Sequence, residues 1–136
     1  MICKKMSRKF KVVCCSGYFD RLHRGHIEYL KNAKLLGDKL IVILNNDSQR
    51  SSTVSKTPQE DRKVILESIK YVDEVFLSVD QDSCVCKSIE IIKPDIFANG
   101  NNASINEENI CKKLNIKVVN SVGNMLHMHD LLAELR

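Results

Sequence analysis

Short apolar runs alternate along this chain with stretches in which apolar positions recur every three or four residues. The runs are FKVVCC at 10–15, KLIVILN at 39–45, EVFLSV at 74–79, PDIFANG at 94–100 and IKVVN at 116–120. Each is too short for a helix, and the first two are apolar enough to read as strands buried on both faces. Between them the period changes to that of a helix. Ile27, Leu30 and Ala33 form one inward stripe in a helix from about Arg24, with Gly37 placed to cap its end. Thr57 and Pro58 read as the N-cap and first residue of a second helix, with Ile65, Ile69 and Val72 inward. Val85, Ile89 and Ile92 mark a third, Ile110 and Leu114 a short fourth, and Met128, Leu131, Leu132 and Leu135 a final one. The stretch NDSQRSSTVSK at 46–56 has no periodicity and reads as a loop.

Strands separated by helices require crossover connections, which favour a parallel sheet covered on both faces. The expected fold is therefore α/β, a three-layer domain with a five-stranded parallel sheet, and 136 residues suit one such domain spanning residues 1–136. With 43% hydrophobic and 28% charged residues, the chain can bury a core. No internal repeat or low-complexity segment interrupts the pattern. The start, MICKKMSRKF, lacks the apolar stretch of a signal peptide, and no segment reaches the length of a membrane span, so a cytoplasmic protein is expected. On that reading the six cysteines are free thiols. The net charge of +4 comes from bases interspersed with acids. With no aromatic and basic stacking platform, nucleic acid is not an expected partner.

Chemistry concentrates in CSGYFDRLHRGH at 15–26, where the first strand hands over to the first helix. In parallel α/β sheets ligands bind at the carboxyl ends of strands. Gly17 lets the backbone approach a guest there, and a helix starting near Arg24 directs its free amides and positive dipole end to the same place. A phosphate is the expected guest. His23 and His26, three residues apart at the helix start, project on one side toward it.

GYFDRLHRGH resembles the G-x-F-D-x-x-H-x-G-H signature of the cytidylyltransferase-like nucleotidyltransferases. The likeness continues through LKNAKLLGDKLIVILNND, EDRKVILESIKYVDEV and KPDIFANG, over roughly residues 10–122, and is similar to glycerol-3-phosphate cytidylyltransferases and to the adenylyltransferase domain acting on heptose phosphate. The resemblance implies a Rossmann-like domain that transfers CMP or AMP from CTP or ATP to a phosphorylated small molecule, a sugar or polyol phosphate, and releases pyrophosphate. A slight preference for CTP follows from RKVILESIKYVDEV. It also implies Mg2+ with the triphosphate, no metal site built by the protein, and a homodimer.

Residue by residue, the resemblance places His23 and His26 on the triphosphate, with Tyr18 and Phe19 offering backbone amides and Asp20 organising the acceptor side or a magnesium ion. Arg50 and Lys56 both lie in the loop from which relatives bring a basic residue to the phosphates, and both stand as candidates. Arg62 matches a position that faces the nucleotide, against a plain surface salt bridge. Asn99 and Gly100, which end PDIFANG, and Asn101 after them form the nucleotide-binding turn, and Gly123 is the last glycine.

Departures accompany the match. Relatives carry a serine/threonine-rich turn after that last glycine, often with an arginine upstream, where this chain reads VGNMLHMHD and Asn120. An aspartate that reads the base or sugar is replaced by Asn101 and Asn102. His127, with His129, is the candidate to replace the missing hydroxyls as a phosphate donor. The pairs Cys84-x-Cys86 and His127-x-His129 lack the partner spacing of a zinc site, and Cys14 and Cys15 read as packing within a strand. Two functions follow, an active nucleotidyltransferase or a degenerate nucleotide-binding protein that lost turnover.

Overall fold

The computed structural model describes residues 9–49 and 57–123. The elements are β1 (Val12–Gly17), α1 (Arg24–Leu35), β2 (Lys39–Leu44), a 3-10 turn (Asp47–Gln49), α2 (Gln59–Glu67), β3 (Glu74–Leu77), α3 (Cys86–Ile92), β4 (Ile96–Ala98), α4 (Ile105–Lys113) and β5 (Lys117–Val119). All strand pairings are parallel and the order is β3-β2-β1-β4-β5. The expected five-stranded parallel sheet with helices on both faces is the one observed.

Alternation along β1 explains the layering. Val13 and Cys15 point to one face, where they pack with Leu30, Ala33 and Leu36 around α1, Leu66 of α2, and Val42 and Leu44 of β2. Cys14 points to the other, where it meets Val85 just ahead of α3, Ile89 within it, Cys111 of α4, and Phe97 of β4. All three residues of the run are fully buried, so β1 needs apolar side chains on both faces. Crossovers keep one hand, so helices change face where the chain reverses direction across the sheet. That reversal lies between β3 and β4, and it opens a crevice where the connections leaving β1 and β4 diverge.

Aspartates secure the amino ends of the strands. Asp38, Asp73 and Asp95, each next to the start of β2, β3 or β4, accept the backbone N–H of Lys11, Leu40 and Val12. Lys34 and Lys9 hold Asp73 and Asp95 below the usual carboxylate range, overcoming the upward push of burial.

Three local expectations need correction. Gly37 does not take a left-handed capping conformation; α1 ends on Leu36 with right-handed backbone. Its missing Cβ instead lets the chain pass Val13 Cγ2 and the Lys11 carbonyl, which a Cβ would meet at 2.7 and 2.9 Å. Pro58, not Thr57, is the N-cap of α2, and it makes no side-chain capping bond. The inward positions of α2 are Arg62 and Leu66, whereas Ile65 is 47% exposed. Buried acceptors draw Arg62 inward, and the four-residue helical spacing then carries Leu66 with it. Ile69 and Val72 pack on the core from beyond the helix end. The expected final helix lies outside the described residues.

Candidate active site

Between Gly17 and Arg24 the chain turns sharply, and Phe19 and Arg21 take left-handed backbone with φ of 52° and 48°. Non-glycine residues keep that conformation only where packing enforces it. Phe19 is so held: its buried ring stacks on Tyr29 at 6.3 Å and tilts against His26 at 5.7 Å. The same ring accounts for Gly17, since a Cβ there would meet Phe19 Cε2 at 2.9 Å. The space opened by this glycine is filled by Phe19 rather than left for a ligand.

His23 is the N-cap of α1 and lies across its first turn. Its Nδ1 accepts the Gly25 N–H at 3.0 Å, and His26 Nδ1 accepts the His23 N–H at 3.2 Å. The two rings stand 4.1 Å apart. A nitrogen that accepts an N–H bond carries no proton, so these bonds assign the proton of each neutral imidazole to Nε2. Both histidines therefore present an Nε2–H donor away from the helix backbone. Burial, and next the neighbouring His23, hold His26 below its ordinary pKa, which favours the neutral donor form. Gly25 makes the arrangement possible, because a Cβ would stand 2.8 Å from His23 Cε1.

Hydrogen bonds from α1 bring the other strand ends to this edge. Tyr29 Oη donates to the Ala98 carbonyl at 2.9 Å, and Gly100 lies against the Tyr29 ring. Burial pushes the Tyr29 hydroxyl well above its ordinary pKa, so it stays a neutral donor. Asn32, buried, donates to the Val122 carbonyl at 3.0 Å. Within the β4 turn, Asn99 Oδ1 accepts the Asn101 N–H, the Asn101 carbonyl accepts the Ser121 N–H, and Asn120 Oδ1 accepts the Ala103 N–H. Gly123 is exposed and open on its side-chain side.

Arg62 departs from the expectation that it faces a nucleotide. Its side chain is enclosed, and its guanidinium donates to the carbonyls of Thr57, Tyr18 and Asn45 and to Asp47 Oδ1 at 2.7–3.0 Å. Asp20 Oδ1 lies 3.9 Å from Nε. The arginine thus sits beneath the loop as part of its support, with Nε and both terminal nitrogens bonded to protein acceptors.

The structure joins Gly17, Tyr18, Phe19, Asp20, His23 and His26 on one loop and helix start, and brings Asn99, Gly100 and Asn101 to the same sheet edge. Arg50, Lys56 and His127 lie outside the described residues. Sequence reasoning passed over Gly25, Tyr29 and Asp47. Only Gly25 left a signal, because glycine at the second position of a helix is unfavourable without a steric reason. Among the described residues no group of three or more His, Cys, Asp or Glu side chains is placed to hold a metal ion, and no helix is long and apolar enough to cross a membrane.

Comparison with known proteins is consistent with this layout. A family model described as cytidylyltransferase-like matches residues 14–129. A protein named FAD synthase from Pyrococcus horikoshii is 38% identical over 110 residues, 79% of this chain and 73% of its own length. One of the same name from Pyrococcus abyssi is 41% identical over 97 residues, 69% of this chain and 64% of its own. The crystal structure of a lipopolysaccharide core biosynthesis protein from Thermoplasma volcanium superposes with a TM-score of 0.71 at 31% identity, covering 82% of this chain and 96% of that one.

Proposed function

Because the chain belongs to the cytidylyltransferase-like family and is a nucleotidyltransferase, we propose that it transfers AMP from ATP to FMN, forming FAD and pyrophosphate. The name shared by its relatives carries this reading. It replaces the sugar or polyol phosphate and the slight preference for CTP that the motif resemblance suggested. The chemistry is the same in kind, since FMN is a phosphomonoester whose phosphate oxygen attacks the α-phosphorus while pyrophosphate leaves in line.

Such a transfer requires no protein nucleophile. It requires two anions held together and preorganised donors where charge builds up. The Nε2–H groups of His23 and His26 supply two such donors, and the amino end of α1 adds its dipole and backbone amides. Neutral donors need no proton uptake to act, so the depressed His26 pKa keeps that donor ready at neutral pH. Magnesium, carried in on the triphosphate, would screen phosphate charge and polarise the α-phosphorus, and Asp20, the one carboxylate of the 17–26 segment, is the candidate to meet it. A homodimer suits the exposed Val64 and Ile65 side by side on α2, and light scattering giving a monomer at micromolar concentration would count against it.

Pyrophosphate release decides the substrate. ATP with FMN should give turnover, and CTP with polyol phosphates should not. Alanine at His23 or His26 should lower the rate by about 10²-fold or more. Release with CTP and a polyol phosphate but none with ATP and FMN would return the assignment to the sugar-phosphate branch. The changed segment from Asn120, whose side chain is engaged with Ala103, favours the second reading, a nucleotide binder without turnover. Binding of ATP with no release from any acceptor would establish it.

A further inference from the structure

Arg62 is the largest fully buried side chain of the described fold, and the transfer chemistry above gives it no task. A buried guanidinium is costly unless its N–H groups find acceptors. Here the acceptors come from loops that meet beneath the site: Tyr18 after β1, Asn45 and Asp47 after β2, and Thr57 ahead of α2. Asp47 is itself tied to α2, since its backbone N–H donates to Gln59 Oε1 and its Oδ2 accepts the Gln59 N–H.

Nη1 donates to the Tyr18 carbonyl at 2.7 Å, as short as the Nη2 bond to Asp47. No peptide bond of the described chain is cis, so the N–H of each peptide points opposite to its C=O. Holding the Tyr18 oxygen on the buried guanidinium therefore turns the Phe19 N–H away from it. Asn45 shows the same geometry: its carbonyl accepts from Nη1, and the following N–H, of Asn46, points away to Gln49 Oε1. A cation on the carbonyl side also polarises the peptide and makes its N–H a stronger donor. Phe19 needs such support, because its φ of 52° is one that a bulky residue keeps only under constraint.

We propose that Arg62 is a positioning residue for nucleotidyl transfer, aiming and polarising the Phe19 amide toward the triphosphate from the buried side of the loop. It never touches substrate. The inference rests on the proposed transferase reading for its kinetic arm, and inorganic pyrophosphate provides an arm independent of it.

Arg62→Lys keeps the charge but lacks the planar fork that reaches Tyr18, Asn45 and Asp47 together, and Arg62→Met removes the charge. Each variant is first compared with the native protein by amide NMR and thermal unfolding, and Arg62→Lys carries the test if Arg62→Met does not fold. In the native protein, pyrophosphate should shift the Phe19 amide cross-peak, and that shift should shrink in the variants. Turnover should fall by about 10²-fold in Arg62→Met and about tenfold in Arg62→Lys, with KM for the acceptor changed by less than about threefold. A folded variant with native turnover, or a native Phe19 amide indifferent to pyrophosphate, overturns the inference. If the native protein transfers nothing, the function reading fails, and the pyrophosphate shifts of native and variant proteins still decide the role of Arg62.

Discussion

Replacing Gly25 with alanine sets two opposite effects on one residue. Alanine is the better helix former by about 0.5–1 kcal/mol, so propensity alone predicts a more stable protein. The new Cβ, however, would stand 2.8 Å from His23 Cε1 and 3.1 Å from Nδ1. Ordinary carbon contacts begin near about 3.5 Å, so the ring must retreat by roughly 0.7 Å. The bond it makes to the Gly25 N–H, 3.0 Å in the structure, then lengthens beyond useful geometry, and a lost N-cap costs about 1 kcal/mol. The two stability effects nearly cancel. Catalysis has no such compensation, because displacing a positioned group by about 1 Å can cost about 10²-fold in rate. Gly25→Ala should therefore unfold within a few degrees of the native temperature and turn over about 10²-fold more slowly. Pyrophosphate release and thermal unfolding, run on the same preparation, test this. Native turnover in the variant would refute the argument that Gly25 sets the His23 ring, and so would a rate loss accompanied by a collapse of the melting temperature.

Other residues give further tests. Since His26 takes up a proton less readily folded than unfolded, its contribution is fully present above about pH 6.5 and is lost as pH falls below that value. Urea unfolding at pH 7.5 and 5.0 should show less acid loss in His26→Gln than in the native protein, and equal losses would count against it. Glu107, buried, accepts the Val85 and Ser104 N–H groups, so Glu107→Ala should destabilise by about 2 kcal/mol, with urea midpoints as the measurement. Gly37→Ala drives a Cβ onto the Lys11 carbonyl at 2.9 Å and should cost about 1–3 kcal/mol by the same assay, while a neutral result would show that β1 can shift. Burial pushes the Cys15 thiol up to about 12 and Cys14 higher still, so neither should alkylate at pH 8 until the protein unfolds.

Much of this protein is legible in one dimension, because the signals involved are local or periodic. A run such as FKVVCC, apolar at every position but Lys11, reads as a strand covered on both faces, and helical stripes between such runs favour parallel pairing. The histidine pair was legible for the same reason, since a ten-residue motif carries its own spacing. What the pattern could not supply was the direction a side chain takes when it bonds to something distant in sequence. Arg62 lies 44 positions from Tyr18, and no periodicity shows that three backbone carbonyls and Asp47 converge on it. Apolar spacing therefore pointed to Ile65 as the inward residue, while the buried guanidinium turned α2 the other way. Gly17 and Gly37 teach the same lesson. Each was read through the conformational freedom of glycine, and each proved to be defined by a neighbour, the Phe19 ring or the Lys11 carbonyl. Motif and layer order are properties of short segments, whereas helix rotation, ring placement and the reason for a missing Cβ depend on contacts between segments that meet only after the chain has folded.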